Sequence, residues 1–527
     1  MATRILKRRE HMATLCRQQV AAQPPTSPPP LPTMQMTGRE EARALLALAL
    51  PSALSTYCYF AVSITELSVM GHLGVDELAA VAYAQLCLDL STLVFMQGFN
   101  GGMNSLCSQA FGAKNYHLVG EYTLLTCLLV TVACAPMALL WWNLDTLLLT
   151  AGVAENVASL AGQYGRLSLL WLWPRSMFQV LASFYQAQNI VLPTAVFDVL
   201  MVFFNCFFAI GLTYGHFGFP ELGFIGCPLG TVVAVSLRLA SYVAYMNIYC
   251  NYHRQCSWRW DSLFLDKQIV WNLISVGMPL AAGELLENAQ LTVMTLFAAK
   301  IGEIQLGTHN AMMELFYFAT SPVYAVINAS VTRIGNHLGA GQPSQAILAA
   351  QICGICIATL TVVNSVVIVS SREHLGRIFS DSPVIITTFS QVCALAALAY
   401  FILSFFCYAL VSVYFAGLVK PLSNQKLLVQ AILQAQARPM PLAAGMVAGA
   451  WLVGIPSAYF LGVHAMPPGL LGLWEGMICG YTVTSLFSFI PAFVWPNWKQ
   501  EADKAVARSH VKVHELASPR ESDRLLA

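Results

Sequence analysis

The feature that most constrains this chain is a series of about twelve apolar stretches, each close to 20 residues long. Their approximate centres are Ser55, Leu90, Thr131, Leu172, Phe203, Ala240, Leu286, Phe316, Thr359, Leu403, Val453 and Thr484. About 20 helical residues cross a hydrocarbon layer, and segments of this length can satisfy their backbone hydrogen bonds there only as helices. Charged residues make up 10% of the chain, too few to cover a soluble globule. We therefore expect an all-α polytopic membrane protein with about twelve transmembrane helices.

Charge in the intervening loops predicts the orientation of the chain. Loops after the even-numbered stretches carry the basic residues Lys114, Arg254, Arg259, Lys267, Arg333 and Lys420. Loops after the odd-numbered stretches carry the acids Asp76, Glu77, Asp145, Glu155, Glu221 and Glu303. Because basic loops tend to stay in the cytoplasm, we expect both termini there. The formal net charge of +1, without a concentrated basic face, excludes nucleic acid as a partner.

The two halves of the sequence repeat each other. Residues 72–78 resemble residues 300–306 at an offset of 300 − 72 = 228, and residues 111–113 resemble residues 338–340 at 338 − 111 = 227. The offset then grows, because Gln186-Ala-Gln188 matches Gln434-Ala-Gln436 at 434 − 186 = 248. The second half therefore contains roughly twenty extra residues, which we place at about 408–430.

This repeat predicts two pseudo-symmetric six-helix lobes related by a two-fold axis along the membrane normal. The N-lobe is expected at 42–262 and the C-lobe at 263–498. A polar, proline-rich start predicts a disordered cytoplasmic tail over residues 1–41. Residues 499–527 are expected to form a second cytoplasmic tail.

Several motifs occur in a specific order and spacing. They are Gly71-His-Leu-Gly74 with Glu77-Leu-Ala-Ala80, Asn104-Ser-Leu-Cys-Ser-Gln-Ala-Phe-Gly-Ala-Lys114, Gln186-Ala-Gln188 with Pro193, Arg333-Ile-Gly-Asn-His-Leu-Gly-Ala-Gly-Gln-Pro343, and Gly472-Leu-Trp-Glu-Gly476. By these motifs the chain resembles eukaryotic members of the multidrug and toxin extrusion (MATE) family of cation-coupled antiporters. The resemblance implies a transporter, not an enzyme, which exports organic cations or xenobiotics in exchange for protons by alternating access.

Two of these motifs lie where even-numbered helices reach the cytoplasm. Their residues Gln109, Gly112, Gly335, Asn336, Gly339 and Gly341 are candidates for a hinge and gate between the lobes. The plainer interpretation is that the glycines end their helices, since glycine suits helix C-termini and Pro343 cannot continue one.

Acidic residues at membrane depth are the main candidates for ion coupling, because each is costly there unless paired, protonated or hydrated. Glu287 lies eight residues beyond Pro279, a position that the family resemblance associates with proton coupling, although Leu280 replaces the family serine. Glu284 lies three residues earlier on nearly the same helical face. Two carboxylates at that spacing repel each other when both are charged, which favours proton exchange.

The N-lobe offers a second set of candidates. Glu66 falls where bacterial relatives carry an aspartate of a cation site, although it could also lie near the outer interface. Asp89 and Asp198 are candidates because a charged side chain is costly to bury at membrane depth. Asn205 lies seven residues beyond Asp198 on the same face. Arg175 could be the countercharge of one of these acids. Glu66, Asp198 and Asn205 together would suit sodium, so the sodium-coupled alternative stays open.

Aromatic side chains could line a cavity for a flat or cationic substrate. The candidates are Tyr57, Tyr59, Phe60, Tyr317 and Phe318, although most membrane aromatics simply pack. The expected partners are an organic cation or amphipathic drug-like compound, protons or Na⁺, and membrane lipids. We expect a monomer with no cofactor, driven by a proton or sodium gradient, in the plasma membrane or a vacuolar or endolysosomal membrane.

The chain departs from the family in one region. No Asp or Glu lies between Asp381 and Glu475, although family members commonly carry a second acid on the tenth helix. The extra residues near 408–430 lie in the same region. A transport-inactive product therefore remains an alternative, as do a lipid or glycolipid flippase and a receptor or scaffold.

Overall fold

The computed structural model describes residues 36–92, 96, 98–256, 266–379, 386–394, 397, 426–465, 468–489 and 497–510. All regular secondary structure in these residues is helical. The first half contains α1 (Gly38–Gly71), α2 (Val75–Thr92), α3 (Gly98–Gly112), α4 (Tyr116–Trp142), α5 (Leu144–Thr150), α6 (Glu155–Ala187), α7 (Leu192–Tyr214) and α8 (Gly226–Val243). The second half contains α9 (Lys267–Ile301), α10 (Glu303–Gly339), α11 (Pro343–Phe379), α12 (Lys426–Ala435), α13 (Met440–His464), α14 (Leu470–Phe489) and α15 (Trp498–His510).

The helices coincide with the apolar stretches of the sequence. Eleven of the twelve expected centres lie in these helices, and the twelfth, Leu403, is outside the described residues. Among the described residues, eight helices are long and apolar enough to cross a membrane. The second stretch is divided between α2 and α3, whereas α6 and α10 have 33 and 37 residues but include more polar side chains.

Two boundaries differ from the expected tails. Residues 38–41 form the first turn of α1, where Glu41 is fully buried. Residues 498–510 form α15, a helix that buries Trp498, Ala502 and Ala505. Both segments are polar enough to look like tails, but each has a partner in the fold. The expected lobe boundary at 262 and most of the proposed insertion lie outside the described residues.

The helix ends follow local sequence chemistry. The side chain of Asn115 accepts a hydrogen bond from the Leu118 backbone N–H at the start of α4. Asp266 does the same for Gln268 at the start of α9. Gly341 has φ of +66° directly after α10, a conformation that favours glycine and ends the helix. At Gly341 the structure thus supports the helix-ending interpretation.

The two halves pack through equivalent helices. Helix α1 packs along α10, and α9 packs along α3. Small residues allow α3 and α9 to approach closely: Gly102 lies against Gly277, and Gly98 lies against Ala281. The hydrophobic effect does not drive helices together in lipid, so membrane helices associate through close packing. Small residues at the interface allow that packing.

Helices α3 and α10 cross at a second close contact. A Cβ atom on Gly112 would lie 2.0 Å from the carbonyl oxygen of Asn336, and one on Gly339 would lie 1.8 Å from that of Gln109. The offsets are equal, 336 − 109 = 227 and 339 − 112 = 227, and they equal the offset of the sequence repeat. Each half therefore presents the same surface to the other, as across a two-fold axis.

We expect Gly339→Ala to destabilise the fold, because the added methyl group must push the α3 backbone away from α10. Overpacking of this kind typically costs about 1–3 kcal/mol. The measurement is the thermal unfolding midpoint of the purified protein in detergent. The control is Gly307→Ala on the same helix, where nothing lies within 4 Å of an added Cβ atom. Equal midpoints for both variants would contradict the close crossing.

Candidate functional site

Glu66 is buried at the centre of a hydrogen-bond network in the N-lobe. Its Oε2 accepts hydrogen bonds from Gln85 Nε2 at 2.7 Å and from Tyr164 Oη at 2.8 Å. Its Oε1 accepts one from the Thr231 hydroxyl. The network joins α1, α2, α6 and α8, and it compensates a carboxylate that would be costly to bury alone.

Two matched contacts join α7 and α8. Asn205 Nδ2 donates to Thr231 Oγ1 at 2.9 Å, and Arg238 Nη1 binds Asp198 Oδ1 at 2.9 Å. Seven residues separate the members on each helix, so the two contacts lie on one face. Asn205 is thereby joined to Glu66 through Thr231, whereas the contacts of Asp198 lead to Arg238. Of the three residues considered for sodium, the structure brings Glu66 and Asn205 together.

Asn205 has one further notable feature. It is fully buried, and its Oδ1 atom has no hydrogen-bond partner among the described residues. A buried amide oxygen without a donor is unfavourable unless water or an ion occupies the space beside it. The Glu66 network thus combines a carboxylate, hydroxyl groups and an amide oxygen, which are the donor types of a hard cation.

Asp89 has the partner that the sequence suggested. Arg175 Nη2 lies 3.4 Å from Asp89 Oδ1, and Tyr59 Oη donates to the same oxygen at 2.9 Å. The guanidinium lies over the rings of Tyr59 and Trp171, at 5.0 Å from each centroid. Asp89, Arg175 and Tyr59 form a cluster that is separate from the hydrogen bonds of Glu66. We call Asp89 and Arg175 the α2–α6 ion pair.

Glu287 and Glu284 are half-buried in the middle of α9. Tyrosines from α10 and α14 lie within electrostatic range of them: Tyr317 and Tyr324 are in range of both acids, and Tyr481 is in range of Glu287. The second half therefore has acids and tyrosines in the same region. Such a setting suits a proton or an organic cation.

The candidate aromatic residues are divided among these features. Tyr57 of α1 and Phe318 of α10 contact each other across the two halves, with ring centroids 5.1 Å apart. Tyr59 binds Asp89 and lies 6.2 Å from the ring of Phe60, while Tyr317 lies by the α9 acids. The structure thus assigns Tyr59 to the α2–α6 ion pair and Tyr57 and Phe318 to a contact between the halves.

Five of the six candidate gate residues meet at the α3–α10 crossing, whereas Gly341 lies beyond α10 next to Val506 of α15. Gly335 packs against Ser108, and Gln109 Nε2 donates to the Ala435 carbonyl at 2.6 Å. The repeated glutamines add symmetric contacts, because Gln186 Nε2 donates to Asn328 O at 3.1 Å and Gln434 Nε2 donates to Gly101 O at 3.2 Å. The two acceptors are again 328 − 101 = 227 residues apart. Both glutamines therefore reach from one half to the backbone of the other.

Sequence reasoning missed an ion cluster between α1 and α10. Arg333 binds Glu41 through Nε at 2.8 Å and also through Nη2. His337 Nε2 lies 3.2 Å from the same carboxylate. The arginine was interpreted as an orientation signal and as part of the gate motif, without a partner acid, and Glu41 only as the end of a tail. Glu41 is fully buried and the Arg333 side chain is 12% exposed, so the pair joins α1 to α10 at this end of the contact between the halves.

Helix α15 adds a further connection at this end. Asn115, which precedes α4, donates to the Ser509 carbonyl at 2.7 Å. Arg508 Nη2 donates to the Gln436 carbonyl at 3.0 Å, and Glu501 pairs with Arg438 at 3.4 Å. The helix therefore contacts both halves of the chain.

Among the described residues, sequence analysis also missed Arg238. A charged residue inside an apolar stretch is a usable signal, and this one was not considered.

Comparison with known proteins decides the family. The MatE family model matches residues 51–210 and 279–413. The chain belongs to the MatE family. Protein DETOXIFICATION 16 of Arabidopsis thaliana is 26% identical over 89% of this chain and 91% of the relative. Multidrug and toxin extrusion protein 1 of Danio rerio is 26% identical over 89% of this chain and 75% of the relative.

Solved structures agree with this assignment. The eukaryotic MATE transporter AtDTX14 superposes with a TM-score of 0.78 at 20% identity, covering 90% of this chain and 99% of that one. An outward-facing multidrug resistance MATE transporter gives a TM-score of 0.75 at 14% identity, covering 88% and 96%. The expected fold of about twelve membrane helices in two lobes is confirmed. This MATE protein is an integral membrane transporter, not an enzyme.

We expect Glu41→Gln to destabilise this MATE transporter, because the change leaves the buried Arg333 guanidinium without its charged partner. Breaking a buried pair in this way costs about 3–5 kcal/mol. Thermal unfolding in detergent checks the prediction, with the exposed neighbour Glu40→Gln as the control. A Glu41→Gln midpoint equal to that of the control would show that the pair contributes little.

Proposed function

We propose that this MATE protein is a proton-coupled antiporter that exports organic cations, with Glu287 as its coupling acid. The observation that supports this most strongly is the position of Glu287 and Glu284 at the middle of α9, within electrostatic range of Tyr317 and Tyr324, with Tyr481 also in range of Glu287. A charged carboxylate beside aromatic faces attracts an organic cation, and a protonated one does not.

This difference provides the coupling. A proton on Glu287 removes the charge that holds the cation, so the acid binds one or the other. Release of the cation on one side and of the proton on the other then follows from alternating access, in which the two lobes move relative to each other.

The α3–α10 crossing is the proposed gate of this cycle. It is closed in the structure by Gly112, Gly339 and the two repeated glutamines, and by the Glu41–Arg333 pair beside it. We assign this end of the bundle to the cytoplasm, in agreement with the basic loops, so the closed gate faces the cytoplasm. These contacts must break for the gate to open. The free energy needed to break them is therefore part of the free energy of the conformational change.

We expect Glu287→Gln to abolish cation transport driven by a pH gradient, because glutamine cannot exchange a proton. The measurement is the initial uptake of a fluorescent organic cation into proteoliposomes with an imposed pH gradient. Glu155→Gln, an exposed acid at the start of α6, is the matched control. Unchanged pH-driven uptake by Glu287→Gln would rule out the assigned role.

A second candidate is sodium coupling at the Glu66 network. The unpartnered Asn205 Oδ1 atom favours it, since it belongs to the amide whose Nδ2 donates to Thr231, and Thr231 in turn donates to Glu66. Sodium prefers such oxygen donors, and a single carboxylate balances its charge.

Varying sodium at equal pH on both sides separates the two candidates. If the Glu66 network binds the coupling ion, an imposed sodium gradient should drive uptake, and Glu66→Gln should remove that response. The same gradient applied to Glu287→Gln shows whether the two acids act independently. Uptake that is indifferent to sodium in the wild-type protein would discard the second candidate and leave the first intact.

A further inference from the structure

Helix α15 is anchored mainly to the second half of the chain. Its buried residues Trp498, Ala502 and Ala505 belong to an apolar cluster formed mostly by residues of α10, α11 and α12. They are spaced by four and three positions, so they lie on one face of the helix. On the same helix Glu501, whose side chain is 3% exposed, pairs with Arg438 at 3.4 Å. Apolar burial and an ion pair therefore hold α15 against the second half.

The end of α12 provides a further anchor for α15. Carbonyl groups at a helix C-terminus lack partners within the helix and carry partial negative charge. Gln436 follows the last residue of α12, and its carbonyl accepts a hydrogen bond from Arg508 Nη2 at 3.0 Å. Because the donor is a cation, this contact is stronger than a neutral hydrogen bond. Arg508 thus fastens the last turn of α15 to the second half.

The turns that follow α3 and α10 are equivalent in the repeat, and α15 contacts both. Lys114 follows α3 with φ of +61°, and Gly341 follows α10 with φ of +66°, at an offset of 341 − 114 = 227. A Cβ atom on Gly341 would lie 3.7 Å from the side chain of Val506 in α15. Asn115, next to Lys114, donates its Nδ2 hydrogen to the Ser509 carbonyl at 2.7 Å. Helix α15 therefore bridges the two turns directly beyond the α3–α10 crossing.

The two sides of this bridge differ in strength. Toward the second half, Arg508 and Glu501 make charged contacts, and α15 buries apolar side chains. Toward the first half, the hydrogen bond from Asn115 to the Ser509 carbonyl joins two neutral groups. Charge-assisted hydrogen bonds are roughly twice as strong as neutral ones. When the halves separate, the Asn115 contact should therefore break while α15 remains on the second half.

We propose that α15 is a clasp on the cytoplasmic gate, which moves with the C-lobe and stabilises the closed gate through Asn115. The hydrogen bond from Asn115 to Ser509 forms when the gate closes and breaks each time the gate opens. Asn115 and Ser509 are positioning residues in this cycle, because they act on the gate through the spacing of α3 and α10. The inference rests on the proposed gate and adds the element that controls its opening.

Asn115 has two roles that one substitution separates. Its Oδ1 accepts a hydrogen bond from the Leu118 backbone N–H and caps α4, whereas its Nδ2 donates to Ser509. Asn115→Asp keeps an acceptor at the cap, where aspartate is as favourable as asparagine. The same change removes the donor and places a carboxylate beside a carbonyl oxygen. The clasp is therefore lost while α4 keeps its cap.

Hydrogen–deuterium exchange of the purified protein in detergent measures how often the gate opens. Backbone amides in the last turns of α3 and α10, around Gly112 and Gly339, should exchange roughly fivefold faster in Asn115→Asp than in the wild type, the effect of losing one hydrogen bond. Amides of α5, beyond the far end of α4, should exchange at the wild-type rate. Unchanged exchange around Gly112 and Gly339 would overturn the proposal, as would an equal acceleration in α5.

The matched control lies at the other end of α4. Asn143 is exposed, and its Nδ2 donates to the Leu139 carbonyl at 2.8 Å within the same helix. Asn143→Asp makes the same chemical change without touching α15. Exchange around Gly112 and Gly339 should therefore stay at the wild-type rate. Acceleration equal to that of Asn115→Asp would show that the effect does not come from the clasp.

A reversible cross-link tests whether the contact must break during transport. A short bifunctional methanethiosulfonate reagent joins the two thiols of the double variant Asn115→Cys with Ser509→Cys, and a reductant releases it. The cross-linked fraction, read from the intact mass, should lose most of its pH-driven uptake of a fluorescent organic cation and regain it with the reductant. Each single variant, treated in the same way, corrects for the native cysteines. Full uptake by the cross-linked protein would contradict a contact that breaks in every cycle.

The outcomes distinguish the clasp from the proposed function. If the wild-type protein takes up no organic cation, the proposed export is wrong, but the exchange measurement needs no substrate and still decides on the clasp. If the wild-type protein transports and Asn115→Asp leaves exchange at the gate unchanged, the clasp alone is wrong.

Discussion

Gly112 and Gly339 allow the α3 and α10 backbones to meet with almost no side chain between them, and the arrangement of the two halves depends on that approach. With these backbones in contact, Gln434 comes within reach of the α3 carbonyl of Gly101, and Gln186 reaches the α10 carbonyl of Asn328. A wider separation would break both bonds. The Glu41–Arg333 pair and α15 then occupy the same end of the bundle and add contacts that depend on the same spacing.

Five acids that were candidates for ion coupling fall into three physical classes. Glu66 is held by neutral hydrogen-bond donors, which leaves its charge open to compensation by an ion. Asp89 and Asp198 are each held by an arginine, so their charge is already balanced. Glu284 and Glu287 lie among tyrosines. Arginines therefore pair with two of these three N-lobe acids, whereas the two acids of α9 lie in electrostatic range of tyrosines.

The helices were predictable because a membrane permits few alternatives to them. The repeat was also visible, and its offset of 227 reappears as the spacing of the contacting carbonyls of Gly101 and Asn328. The partners of each acid were not predictable, because they come from distant helices: Tyr164 and Thr231 around Glu66 are ordinary polar residues in sequence. Glu41 was missed for another reason, since composition assigned its neighbourhood to a tail although one buried arginine holds it.

The repeated glutamines donate hydrogen bonds to backbone carbonyls, and every residue type has a backbone carbonyl. The contact between the lobes is therefore largely indifferent to which side chains occupy the facing positions, provided that the backbones remain close. The fold can therefore be the same at low sequence identity, as in AtDTX14, which superposes on this chain with a TM-score of 0.78 at 20% identity.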